Sequence, residues 1–185
     1  MIRIVLDANI LYSAALRGLI LHLGTHEAVE PYWSEEIQNE WTESLLRNRP
    51  DLRRASLERT RRNMAFHFPN ALVQGYESLI PTLWLPDPKD RHVLAVAIHA
   101  EAQYIVTFNL EDFPDTILPF HGIEAVSPDD LVVRLLRERP DRILRAITKH
   151  RLSLTRPPKT VEEYLETLEK QGLYQTVAFL RQGGG

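Results

Sequence analysis

Asp7 stands directly after Ile2–Leu6, five residues suited to a buried strand, and is followed at once by Ala8 and Asn9. A carboxylate at the end of a central strand needs donors or a cation, because burying it unpaired is costly. Other acids recur where an α/β fold would gather them. Glu40 lies in the helical stretch SEEIQNEW, Asp87 and Asp90 lie in LPDPKD before an apolar helix, and Asp112 follows the strand YIVTF together with Asn109. In open parallel sheets ligands bind at the carboxyl ends of the strands, which is where Asp7, Asn109 and Asp112 fall. Two carboxylates about 4 Å apart repel by roughly 4 kcal/mol at an effective dielectric of 20, a large share of a domain stability of about 5–15 kcal/mol. Either these acids are dispersed or a cation sits among them. No Lys or Arg adjoins Asp7, and Lys89 and Arg91 are the bases flanking Asp90. A hard divalent ion with oxygen ligands, Mg²⁺ first and Mn²⁺ close behind, is the natural occupant.

Each acid also has a purely structural explanation. Asp87 precedes Pro88, the usual arrangement of an N-cap and the first helical residue. Asp90 would then be the third helical residue, where the helix dipole and a capping box favour an acid. Glu40 can be an exposed helix acid, with Glu36 competing on the same side one turn earlier. Asp112 can open a turn before Phe113-Pro114. Asp7 has the poorest such explanation.

The elements that must position these groups follow from periodicity. Ile2–Leu6 reads as a central parallel strand. Asn9 to Leu23 reads as helix, with a break expected near Gly18. EPYWS is a short strand or turn, and Ser34 caps a helix to about Leu46. A further helix is expected from Pro50-Asp51 to Phe68, then a weak strand and turn in NALVQGY. RHVLAVAIHAEA is apolar nearly all round and should be buried, flanked by His92 and His99; His92 could approach the acids, but it is read as an ordinary exposed or hydrogen-bonded histidine. YIVTF and GIEAVS are strands, NLEDFP is a turn, and Ser127-Pro128 opens another helix. This alternation, to about residue 136, indicates an α/β domain with a mainly parallel sheet. Beyond Pro140 the pattern is helical, with a Pro-containing linker in RLSLTRPPKT and then a helix pair with Gly172 as C-cap. The expected division is a domain over 1–136, a helical extension over 137–182 and a disordered Gly tail over 183–185.

Bulk properties narrow the class. The chain has 185 residues, 44% of them apolar and 25% charged, with a net charge of −3 and no cysteine. Disulfides and thiolate metal sites are excluded, which fits a reducing cytoplasm, and no apolar run reaches the roughly 18 residues a membrane span needs. The start is strand-like and not a signal peptide. Any phosphate-binding surface must be a local patch. RNRPDLRRASLERTRRN supplies one: it carries seven Arg against Asp51 and Glu58. Arg53, Arg54, Arg61 and Arg62 are its candidate RNA-backbone contacts. A second basic run, Arg134 to Arg151, is interleaved with Glu138 and Asp141 and is the weaker candidate.

VLDANIL, SEEIQNEW and DPKDRHVLAVAIHAEAQYIVTFNLEDFP resemble the PIN domain, in particular the VapC-type toxin ribonucleases of prokaryotes. The resemblance spans about residues 1–136, and the tail resembles a helical extension of some such toxins. It implies a three-layer α/β sandwich with an acidic pocket for Mg²⁺ or Mn²⁺, and endonucleolytic hydrolysis of RNA, leaving a 5′-phosphate and a 3′-hydroxyl. By position, Asp7, Glu40, Asp90 and Asp112 match the catalytic acids, with Asp7, Asp90 and Asp112 as metal ligands. Many relatives carry Asp where this chain has Asn109. Asp112 is therefore taken as the fourth acid, with Asn9, Thr107 and Asn109 in support. The resemblance also implies a structured RNA substrate such as tRNA and a cognate antitoxin. Tyr164, Tyr174 and Phe179 are read as packing the tail onto its own domain, a homodimer or antitoxin surface being the alternative. Two other functions compete: a non-catalytic PIN-like module that binds RNA or protein, and a haloacid-dehalogenase-like phosphatase. The second would want Asp-x-Asp where this chain has Asn9.

Overall fold

In the computed structural model, which describes residues 1–183, four strands form one parallel sheet. They are β1 (Ile2–Leu6), β2 (Val29–Tyr32), β3 (Tyr104–Val106) and β4 (Glu124–Val126), in the order β2-β1-β3-β4. Ile4, Val5 and Leu6 are all fully buried, which a strand achieves when both its faces are covered. β1 pairs on one side with β2 and on the other with β3, Leu6 lying opposite Val106. The order in which strands are laid down reverses at β1, with β2 on one side and β3 on the other, and this is the switch point where ligands of such sheets bind.

Helices flank the sheet: α1 (Ala8–Tyr12), α2 (Ala14–Thr25), α3 (Glu35–Asn48), α4 (Arg54–His67), α5 (Arg91–His99), α6 (Pro128–Glu138), α7 (Pro140–Ser153), α8 (Val161–Lys170) and α9 (Tyr174–Gln182). α5 packs on β1 and β3, and its residues from His92 to Ala97 are all buried, as its near-uniform apolarity requires. Ser34 caps α3 by accepting from Ile37 N. None of these described helices is long and apolar enough to cross a membrane.

Three boundaries differ from expectation for identifiable reasons. The first helical stretch breaks at Ser13, not at Gly18: Ser13 ends α1, and its hydroxyl accepts from Leu16 N to start α2. Gly18 lies inside α2, where His150 of α7 approaches it closely. α4 begins at Arg54 and not at Pro50-Asp51, because the Asp51 carboxylate is held by the Arg49 guanidinium and caps nothing. NALVQGY contributes a single bridge, Leu72 to Trp33, in place of a strand.

The C-terminal helices are keyed onto the α/β body by buried polar groups. α7 packs on α2, and α9 packs on α6. The buried Asp129 carboxylate accepts from Gln175 N, Thr176 N and the Thr176 hydroxyl, so an acid on α6 satisfies donors at the start of α9. His150 Nδ1 lies 2.7 Å from the Tyr164 hydroxyl of α8. Tyr164 is buried and Phe179 packs against the core, whereas Tyr174 is exposed. The expected division at 136/137 falls inside α6, and most of the expected Gly tail lies outside the described residues.

Two predictions test this seam. An alanine inside a helix ordinarily favours folding over glycine by about 1 kcal/mol. At position 18, however, its methyl carbon would stand 2.5 Å from His150 Nε2, on a buried ring that cannot swing away. Gly18→Ala should therefore lower stability by about 1–3 kcal/mol in urea denaturation; a gain would contradict the packing. Burial, and then the neighbouring His22, push the His150 imidazole from 6.5 down to about 4. The unfolded chain binds the proton that the folded protein refuses. The stability contributed is therefore full above about pH 6.5 and is lost toward pH 4, by roughly 3 kcal/mol. His150→Gln should flatten the pH dependence of unfolding in that window, and equal slopes would exclude His150 as its source.

Candidate active site

The site is built outward from Asp7. The sheet ladder runs one residue past β1, Asp7 N donating to Val106 O at 3.1 Å, which sets the Asp7 side chain beside Thr107 at the end of β3. Asp7 is the N-cap of α1: its Oδ1 accepts from Ala8 N at 2.7 Å. Its Oδ2 accepts from the Thr107 hydroxyl at 2.7 Å and from Asn9 Nδ2 at 2.9 Å. Thr107 Oγ1 in turn accepts from Asn9 Nδ2 and from Asn109 N, and Asn9 Oδ1 accepts from Phe108 N. Thr107 thus uses its one proton and both lone pairs. Asn109 enters this network through its backbone; its side chain is exposed and forms no hydrogen bond among the described residues.

The other acids surround this carboxylate. Asp87 does the capping that its Pro neighbour suggests, accepting from Lys89 N at 2.9 Å. Asp90 begins α5 but makes no capping bond, so its carboxylate is free for other work. Burial first, and then the charges of Asp112, Asp7 and Asp87, push Asp90 up to about 6. Asp7 is also raised, by its burial first and by Glu40, against the lowering effect of Thr107 and Ala8. Asp112 ends a short 3-10 turn, Leu110–Asp112, after β3. Among the described residues no Lys or Arg forms an ion pair with Asp7, Asp90 or Asp112. Asp90 thus lies in the field of three other carboxylates with no Lys or Arg paired to it, an oxygen-rich set that could hold a hard divalent ion.

His92 is the residue that sequence reasoning undervalued. It is hydrogen-bonded as expected, yet it is buried and points into the site: its Nε2 lies 2.9 Å from Glu40 Oε1 and its Nδ1 3.6 Å from Glu36 Oε2. Burial disfavours the imidazolium, but the hydrogen bond and charge of Glu40, with Glu36 and Asp7 beyond, outweigh it and raise the pKa. The available signal was the spacing of Glu36 and Glu40, one turn apart on α3, together with a histidine two residues after Asp90. Beside Glu40 opens a groove of about 840 Å³, lined by Asn9, Tyr12, Trp41, Ser44, Arg47 and Asn48 among others.

The Arg-rich helix is less free than its composition implies. Arg54 forms a two-pronged pair with Glu43, and Arg61 pairs with Glu35 and Asn39. α3 therefore supplies acids that the count of Asp51 and Glu58 leaves out. Arg53 and Arg62 are exposed and form no ion pair among the described residues. In the second basic run, Arg134 is paired with Glu124.

Residues 3–111 match the family described as PIN domain. The chain belongs to the PIN domain family. Residues 128–182 match a second family, described as the VapC50 C-terminal domain, whose first matched residue is also the first of α6. The PIN domain is thus followed by a helical extension of the VapC50 kind. A protein named "Putative ribonuclease VapC50" from Mycobacterium tuberculosis (strain ATCC 25618 / H37Rv) is 36% identical over 107 residues, 56% of this chain and 63% of that protein. The match spans less than two thirds of that relative's length. No solved structure matches significantly.

The burial and charge around Asp90 have a measurable consequence. An Asp90 carboxyl raised from 3.8 to about 6 on folding destabilises the metal-free PIN domain at pH 7. Because the group is only partly buried, solvent screening holds the effect to about 1 kcal/mol. Asp90→Asn should be more stable than the parent by that order in EDTA, by urea denaturation, and should lose the advantage in excess Mg²⁺. No gain in EDTA would show that these acids do not repel.

Proposed function

We propose that this PIN-domain chain is a Mg²⁺- or Mn²⁺-dependent endoribonuclease that hydrolyses RNA phosphodiester bonds, and that it is the toxin of a type II toxin–antitoxin pair. One observation carries the reading: the Asp7 carboxylate is held by three donors at the switch point of the sheet, beside Asp90 and Asp112 and without a Lys or Arg partner. Asp7, Asp90 and Asp112 would hold the ion, which when bound supplies an activated water and neutralises charge on the phosphate. Thr107 and Asn9 lock the Asp7 carboxylate in one orientation, so the ligand is set before the ion arrives. Glu40, half exposed and steadied by His92, would receive a proton from the attacking water. The family names, PIN domain and VapC50 C-terminal domain, support RNA as substrate and a cognate antitoxin as partner. A cytoplasmic location goes with such a substrate.

The groove beside Glu40 suits a single strand of RNA. Tyr12 offers an aromatic face for base stacking, Asn48 Nδ2 donates to the Tyr12 hydroxyl and steadies it, and Arg47 offers a cation to a phosphate.

Purified protein should cut a structured RNA such as tRNA in Mg²⁺ or Mn²⁺, and EDTA should stop it. Asp7→Asn should slow cutting at least about 100-fold with an unchanged circular dichroism spectrum; cutting at the parent rate would refute the mechanism. Replacing Arg53 and Arg62 by Ala should weaken RNA binding and make the slope of log K against log salt shallower by about 0.7 for each phosphate no longer neutralised. An unchanged slope would remove that surface from the RNA path.

A further inference from the structure

One group of potential ligands adjoins the aspartates without including any of them. Among the described residues, Glu36, Glu40 and His92 each offer a ligand atom, and these atoms all lie within 4.8 Å of one another. Glu36 and Glu40 are one turn apart on α3, a spacing at which like charges repel. Opposite them, from α5, comes an imidazole that is 4% exposed. The Nε2 of that ring is engaged with Glu40, while its Nδ1 is buried and has no hydrogen-bond partner. If Nε2–H donates to Glu40, the Nδ1 lone pair points toward the Glu36 carboxylate, 3.6 Å away. In that neutral form two electron-rich atoms face each other, and either a proton on Nδ1 or a bound cation would offset the repulsion.

We infer that Glu36, Glu40 and His92 form a second cation site, for a transition-metal ion of the Zn²⁺, Mn²⁺ or Co²⁺ kind, with His92 Nδ1 and Glu36 as ligands. The spacing agrees: ligands about 2.1 Å from a tetrahedral ion lie about 3.4 Å apart. Imidazole selects such ions over Mg²⁺, which prefers an all-oxygen shell. Glu40 fixes the ring tautomer through Nε2, the arrangement by which a carboxylate raises the basicity of a metal-bound histidine. Water completes the shell, because both glutamates are open to solvent. Glu40 then adjoins two different ions, a hard one on the aspartates and a softer one on His92. The site exists whether or not RNA is cut.

Cobalt(II) is the probe, since its visible absorption reports nitrogen ligation and coordination number. Full-length protein and its Asp7→Asn variant should both bind a Co²⁺ ion with an imidazole-ligated spectrum. In the Asp7→Asn background, Glu36→Gln and His92→Gln should each weaken that binding at least about 10-fold. Glu36 is exposed, so its variant should keep the parent's melting curve and separate lost ligation from lost folding. Mg²⁺ in large excess should not displace the ion. Binding abolished by Asp7→Asn alone would overturn the proposal and assign all metal to the aspartates. Unchanged Co²⁺ affinity in Glu36→Gln would overturn it as well, leaving His92 a clamp for the glutamates. Neither result bears on RNA cleavage, which is measured separately with Mg²⁺.

Discussion

A carboxylate buried where β1 ends sets the terms for the rest of this molecule. An ionised Asp7 with no partner would cost several kcal/mol. Its three hydrogen bonds, from Ala8 N, Asn9 and Thr107, are charge-assisted and strong for their kind. Two of these donors are local, but Thr107 arrives from a strand a hundred residues away in sequence. The pairing of β1 with β3 is therefore a condition of the site. A slip of one residue would turn Thr107 to the opposite face of the sheet and leave Asp7 Oδ2 short of a donor.

The surrounding charges are distributed unevenly, and the unevenness is informative. Over the surface, acids and bases pair off: Arg54 with Glu43, Arg134 with Glu124, and Arg181 with Glu162 and Glu169. Such exposed pairs add little stability, but they consume charge that composition alone counts as free. At the carboxyl end of the sheet the pairing stops. Burial and the charges of Asp112, Asp7 and Asp87 raise Asp90, and no Lys or Arg forms an ion pair with Asp7, Asp90 or Asp112 among the described residues. The cost of holding these acids together is borne by the buried strands and by α5 packed against them.

The helical extension is joined to the PIN domain by more than apolar packing. Asp129 reaches from α6 to the first residues of α9, and His150 stands between Gly18, His22 and Tyr164. Buried polar links of this kind demand matched partners and so specify one docking arrangement, where a greasy surface alone would accept several. α6 belongs to both parts: it follows the last strand of the sheet and opens the stretch matched to the VapC50 C-terminal domain.

The sequence by itself determined the parallel α/β class, the buried α5, the strand-end placement of Asp7 and the capping by Asp87 and Ser34. These depend on short-range rules of periodicity, capping and proline geometry that act within a few residues. Tertiary structure decided the rest. It kept Gly18 inside a helix, because that glycine makes room for the approach of His150 and serves no turn. It took Arg54 and Arg61 out of the free basic patch, because their acids lie on α3, the helix packed alongside. It turned His92 from an ordinary polar residue into a buried neighbour of Glu36 and Glu40, because only the fold brings the first turn of α5 beside those two side chains of α3. Side-chain partnership across long separations depends on register and helix docking, and no local pattern in a single chain encodes either.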